Sequence, residues 1–297
     1  MSCFPITFCI PKSKIIKNLP NKTKILSNLI PGKLETYIYG NEDDYYHEYQ
    51  TSIFAITHKK GGWDCLRHYE ILANGCIPLF LDIETCPINT LAFFPKQLII
   101  SGNKLYEKLK DHKEITQLIN NNQVNCLISE LLNYTEKNLT TEKMAYYILK
   151  KSNNIHIKSI LYLSGDTGPD YLRDLILSGF KNIYGYHCHD YPKITHIYKN
   201  QSINYSQLYG KGISYTSLID KDLHFDEFDK SIENDIKNKK YDIIIYGSYH
   251  RGMPFYDTIT KIYNPSEVIL LCGEDEHVCT YSDWVKKGHF VFVRESN

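Results

Sequence analysis

Residues 57–80, THKKGGWDCLRHYEILANGCIPLF, compress a glycine loop, a short helix and a buried strand into one run. Lys59 and Lys60 precede Gly61 and Gly62, a pair that permits positive φ and close approach of other groups to the backbone. The spacing predicts a helix from about Trp63 to a stop at Asn74-Gly75. Leu66, Tyr69, Leu72 and Ala73 recur every three or four residues as a buried stripe, which leaves Asp64, Arg67 and Glu70 together on another face. Residues 77–81 then read as a buried parallel strand.

A loop running into a helix N-terminus presents unbonded N–H groups and a positive dipole end to an anion, and an arginine one turn further in can fork two phosphate oxygens. Glu70, a turn beyond Arg67, can accept hydrogen bonds from sugar hydroxyls. These parts suit a nucleoside diphosphate. The plainer possibility is a surface helix on which Arg67 and Glu70 form an i, i+3 ion pair worth a few tenths of a kcal/mol.

The string GWDCLRHYEILANGCIPLF, with FAITHKK before it and CPINTLAFFPKQLI after it, resembles the donor-binding half of exostosin-like glycosyltransferases. Their signature is an Arg-x-Tyr-Glu helix followed by Gly-Cys-Ile-Pro and a strand. The lead-in IPGKLETYIYGNEDDYYHEYQTSIFAIT resembles small transferases of this group from large viruses and some bacteria. The resemblance implies that Arg67 and Glu70 face the nucleotide diphosphate and its ribose. It implies the same of Lys60 and the amides of Gly61 and Gly62. It also implies a GT-B architecture of two Rossmann-like domains, with no metal and no cofactor beyond the nucleotide sugar.

With 297 residues, 42% of them hydrophobic and 23% charged, the chain can bury a core of one large domain or two Rossmann-sized ones. A formal net charge of zero supplies no field that would draw it to nucleic acid or an anionic membrane. Nine cysteines are scattered without a CxxC pair, and Cys76 and Cys272 fall in apolar strands as small reduced hydrophobes. Cys272, His277 and Cys279 lack the fourth ligand and the spacing of a zinc site. No window approaches the roughly 18 apolar residues of a membrane span, and MSCFPITFCIPKSK has no charged leader. The expected setting is the cytoplasm, the host's if the source is viral.

Along the chain, residues 4–11 and 35–39 read as strands and residues 22–29 as a short helix. Asn41 caps a helix leading into a strand at 52–57. Residues 91–100 hold another strand, and 103–151 form helices broken near 121–123 and 138–141. A second α/β unit opens with IKSILYLSGDTGPDYLRDLILSGF, followed by strands at 182–186, 241–246, 267–272 and 289–293 and helices at 254–263 and 283–287. Strands alternating with helices argue for parallel, helix-covered sheets. The expected division is a nucleotide-sugar donor domain at 1–150 and an acceptor-binding Rossmann-like domain at 151–297. The usual GT-B order is the reverse, so the chain reads as circularly permuted, or as naturally donor-first.

Loops at strand carboxyl ends of the second unit carry GDTGPDY (165–171), GSYHRG (247–252) and CGEDEH (272–277), which should share one sheet edge. Asp166 is the first candidate for a general base deprotonating an acceptor hydroxyl, with helix capping as its plainer role, and Glu274 is the second. His250, Arg251 and Asp275 are candidate acceptor contacts. Asp82 and Glu84, after the first-unit strand, are candidate sugar contacts. Two other functions fit. LYLSGDTGPDY is similar to the glycine loop of S-adenosylmethionine methyltransferases, although the next strand, read as ending Tyr184-Gly185-Tyr186-His187, lacks the acid that holds a ribose. An inactive sugar- or nucleotide-binding module would keep the Arg67 helix and need no base.

Overall fold

The computed structural model describes residues 2–111, 118, 121–275 and 280–296. Its strands, in chain order, are β1 (Cys3–Pro5), β2 (Lys24–Leu26), β3 (Ser52–Ile56), β4 (Ile77–Leu79), β5 (Ile160–Leu163), β6 (Cys188–Tyr191), β7 (Ile243–Tyr246), β8 (Val268–Cys272) and β9 (Phe290–Val293). They form two sheets, both parallel throughout. One has the order β2-β3-β4 and the other β6-β5-β7-β8-β9-β1. Parallel strands need crossovers, and helices supply them, so the architecture is α/β and compatible with Rossmann-like units.

Strands β5, β7 and β8 are buried at every position, as expected for a sheet covered on both faces. Around the glycine loop the expectation holds in part, since the helix begins at Leu66 and not at Trp63, which leaves Asp64 in the loop and off the helix face of Arg67 and Glu70. The helix runs Leu66–Ala73, Gly75 takes a positive φ of 61° just past its end, and Leu66, Tyr69, Leu72 and Ala73 are buried. Asn41 caps the helix Glu42–Gln50 by accepting from the Asp44 amide at 2.8 Å.

Tertiary pairing overrode local propensity elsewhere. Residues 22–29 contribute β2 instead of a helix, because Thr23 and Lys24 donate to Thr51 O and Ser27 to Phe54 O, locking them beside β3. Residues 35–39 hold no strand but the single turn Leu34–Thr36. In 91–100 the helix Lys96–Leu109 begins behind Pro95, where a strand had been expected. The helix Tyr171–Tyr184 runs through the region read as a strand at 182–186, and the strand follows at β6.

The two sheets do not divide at residue 150. Strand β1 pairs with β9, at the edge of the six-stranded sheet where Pro5 costs no ladder bond. The helix Thr141–Lys151 lies against Tyr171–Tyr184 so closely that a Cβ on Gly179 would sit 2.2 Å from Thr141 O. The N-terminus lies beside the start of β9, with Val291 N donating to Ser2 O at 2.8 Å, and residues 294–296 leave from the other end of that strand. Because β9 and β1 run parallel, joining residues 294–296 directly to 2–4 would not make a continuous chain. A crossover of about a dozen residues would be needed.

Seven cysteines (Cys3, Cys9, Cys65, Cys76, Cys86, Cys126 and Cys188) are free thiols, whereas Cys272 is half of a disulfide. His277 and Cys279 lie outside the described residues. Among the described residues no helix is long and apolar enough to cross a membrane.

Candidate functional site

In parallel sheets the strand carboxyl ends share one edge, and loops there build ligand sites. The three second-unit loops do meet on that edge. A Cβ on Gly165 would lie 2.2 Å from Arg251 O, so only glycine lets the β5 and β7 loops pack backbone to backbone. Facing them are the glycine loop and the Leu66–Ala73 helix of the three-stranded unit. Between the two lies a cavity of about 600 Å³.

Lys60, Gly61, Gly62, Arg67 and Glu70 line this cavity from one side, and Arg251, Glu274 and Asp275 from the other. The polar face of the helix is buried, not superficial: Arg67 is 8% exposed and Glu70 6%. They do not bond each other. Arg67 Nε donates to Thr57 Oγ1 at 3.1 Å and Nη2 to His58 O at 3.2 Å, fixing the guanidinium across the loop. Glu70 accepts from Tyr45 OH at 2.7 Å and from Ser214 Oγ at 2.6 Å. A carboxylate has about four lone-pair sites, so both oxygens can accept further hydroxyl donors.

Burial pushes the Glu70 carboxyl from 4.5 up to about 6, against the hydrogen bonds from Ser214 and Tyr45 that favour its anion. The native protein therefore holds this proton more tightly than the unfolded chain does, and the contribution of Glu70 to stability falls as pH rises from 4.5 through about 6 and is constant above that. Glu70→Gln keeps an acceptor and a donor for the two hydroxyls. It is expected to match the wild type at pH 4 and to exceed it at pH 8 by about 1–2 kcal/mol. Urea denaturation at both pH values checks this, and an equal effect at the two would refute a buried titrating carboxyl.

The glycine pair has a different reason from the one its sequence suggests. Neither Gly61 nor Gly62 has positive φ. Instead, a Cβ on Gly61 would lie 2.1 Å from Asp275 Oδ2 and one on Gly62 2.4 Å from Glu295 Oε1. Carboxylates of the other unit press on the loop, and the buried Glu295 and Arg294 beside Gly62 leave no room for a side chain there. Arg294 gathers these acids: it contacts Asp275 Oδ1 at 2.5 Å, Glu295 Oε1 at 2.7 Å and the carbonyl oxygen of Asp64 at 2.5 Å. Burial raises the Asp64 carboxyl to about 7, opposed by the Arg294 charge and by the Phe8 amide, which donates to it at 2.7 Å.

Asp166, the first candidate for the base, stands off the cavity. Its side chain is half exposed, and its Oδ1 accepts from the Gly168 amide at 3.1 Å and from Arg173 Nη1 at 3.1 Å. Those bonds shape its own loop. The acid of that loop that reaches the cavity is Asp170, which caps the Tyr171–Tyr184 helix through the Arg173 amide. Asp170 also accepts a hydrogen bond from Ser248 and forms an ion pair with Arg251 Nε at 3.3 Å. Glu274 lines the cavity and contacts His250 Nε2 at 2.5 Å and Arg251 Nη2 at 3.4 Å. His250 is held behind Glu274 and is not itself a lining residue. Asp82 and Glu84 are exposed and lie outside the cavity wall.

Sequence reading missed the segment carrying Tyr209, Lys211 and Ser214. It crosses from the second unit to cover Glu70, and Lys211 Nζ donates to Tyr39 O at 3.1 Å. Its irregular, tyrosine-rich composition offered no periodic signal. Asp64 and Arg294 were also given no role there. The capping role that the sequence offers Asp166 belongs in the structure to Asp170, the residue before the helix.

Asp170, His250 and Glu274 each offer a donor atom within 4.8 Å of the others, the spacing of a cation site. The Arg251 guanidinium already sits against both carboxylates, which disfavours a second cation there. As for the methyltransferase fingerprint, the strand after the glycine loop does carry an acid, Asp190 on β6. It is 1% exposed and consumed by Lys181 Nζ at 2.8 Å, Tyr198 OH at 2.6 Å and His224 Nδ1 at 2.9 Å, away from the cavity. Comparison of the chain with protein-family models, curated protein sequences and solved structures yields no match.

Proposed function

We propose that the chain is a GT-B-like glycosyltransferase that moves a sugar from a nucleoside diphosphate to a hydroxyl of a glycan or sugar acceptor. One observation carries this reading. Arg67 and Glu70, one turn apart on a buried helix, both line the inter-sheet cavity, yet each is fixed by its own partners and not by the other. A buried cation and a buried carboxylate at that spacing match the two ends of a nucleoside diphosphate, and burial strengthens both contacts. Two parallel units opening towards each other at their strand carboxyl ends support a cleft for donor and acceptor.

In this mechanism the bond between the sugar's anomeric carbon and the diphosphate oxygen breaks as the acceptor oxygen bonds that carbon. Arg67, Lys60 and the loop amides take up the charge that develops on the diphosphate. Glu274, oriented by His250 and Arg251, receives the acceptor's proton in the inverting version. The nucleotide sugar is the co-substrate, and cations of the chain stand where other transferases use a metal.

A panel of UDP- and GDP-sugars, with release of nucleoside diphosphate as readout, tests the reading. Turnover with at least one donor is expected, and it should survive EDTA. Turnover lost on chelation and restored by manganese would refute the metal-free version. Tight nucleotide binding with neither transfer nor hydrolysis across the panel would favour a binding module.

A further inference from the structure

On the far side of β5 from the β7 loop, at the free edge of the six-stranded sheet, β6 carries His189, and the chain returns beside it at His224 and the helix Asp226–Lys237. His189 Nε2 lies 2.9 Å from Asp229 Oδ1, and His224 Nε2 lies 3.3 Å from Asp229 Oδ2 and 3.5 Å from Asp226 Oδ1. The donor atoms of His189, His224 and Asp229 all fall within 4.8 Å of one another. We propose that His189, His224 and Asp229, with Asp226 as the outer ligand, bind a zinc-class divalent cation that pins the edge strand β6 to the first turn of the Asp226–Lys237 helix.

Zinc takes imidazole nitrogen at about 2.0–2.1 Å and carboxylate oxygen at about 2.0–2.2 Å, so donors on a tetrahedral shell stand roughly 3.3 Å apart. The separations of 2.9, 3.3 and 3.5 Å bracket that spacing. Two imidazoles with carboxylates suit zinc rather than magnesium or calcium. His224 Nδ1 is 2.9 Å from Asp190 Oδ1, which leaves its Nε2 aimed at the Asp229 and Asp226 carboxylates. Asp190 then serves as the outer carboxylate that orients a ligating histidine, itself held by Lys181 and Tyr198.

The nearby cations are otherwise engaged or at the rim: Lys181 is on Asp190, and Lys193 lies over the Tyr198 ring and reaches the exposed Asp226 at 3.3 Å. Asp229 is 28% exposed and Asp226 78%, which leaves an entry path while the histidines stay buried.

Calorimetric titration of chelator-stripped full-length protein with zinc sulfate is expected to show one equivalent bound and a rise in Tm on loading. Cobalt in its place should give the visible absorption of a tetrahedral site. Asp229→Ala, a partly exposed change, should weaken zinc by more than the roughly 10- to 100-fold that outer partners cost, with the fold intact by circular dichroism. Asp226→Ala gives a second, surface variant, with weaker binding expected. Glu274→Gln should leave zinc binding unchanged. No stoichiometric binding by the folded wild type, or binding that survives Asp229→Ala, or binding lost in Glu274→Gln, would each overturn the site.

Discussion

Arg294→Ala is expected to lower the unfolding free energy by about 3–5 kcal/mol, the scale for removing one partner of a buried ionic network. Arg294 is 2% exposed and stands at the end of β9, where its guanidinium lies 4.5 Å from the Phe8 ring centre. Its Nε donates to Gly273 O at 2.8 Å, while the Nη groups hold Asp275, Glu295 and the Asp64 carbonyl. Truncation would leave the buried Glu295 carboxylate and two carbonyl oxygens without this donor. The Asp64 carboxyl would lose the charge that opposes its upward shift. The same side chain ties the six-stranded sheet to the glycine loop, so the cavity should open as well. Arg294→Lys, which keeps the charge but not the fork, should fall between. Urea denaturation at pH 7 measures the effect, and a loss below about 1 kcal/mol would show that the network contributes no more than a surface pair.

Arg67→Ala is expected to weaken binding of free UDP or GDP by about 1.5–3 kcal/mol, roughly 10- to 150-fold, the range of one charge-assisted contact. Arg67→Lys should not restore it, because the point charge of lysine cannot bridge Thr57, His58 and a phosphate from one plane. Glu70→Ala should also weaken binding, through the ribose. Its effect should persist with a nucleoside lacking phosphates, whereas that of Arg67→Ala should vanish. Calorimetry with nucleoside and nucleoside diphosphate separates the two roles. Unchanged diphosphate affinity in Arg67→Ala, with the fold intact, would remove the main support for the nucleotide site.

These expectations rest on elements of unequal legibility. The Leu66–Ala73 helix was readable because its apolar residues repeat at helical spacing and Asn74-Gly75 stops it, both properties of neighbouring residues. Strand β2 was not, since residues 24–26 form a strand only because β3 offers carbonyls beside them. The choice between Asp166 and Asp170 also lay beyond local reading. The two sit four residues apart in one loop, and packing of Arg173 and Arg251 turns one outward and the other to the cavity.

Sequence by itself determined that the chain is α/β, that strands alternate with helices in a second unit, and that Lys60, Gly61, Gly62, Arg67 and Glu70 share one loop and helix. Period, caps and strand hydrophobicity are local quantities, set by the energy of each short segment. Only the tertiary structure decided that β1 joins β9, that Ser214 and Tyr45 hold Glu70, that Asp275 and Glu295 press on the glycine loop, and that His189, His224 and Asp229 converge. Each joins residues far apart in the chain, and such contacts arise only when the burial of whole faces offsets the entropy of closing long loops, a balance that no window of sequence contains.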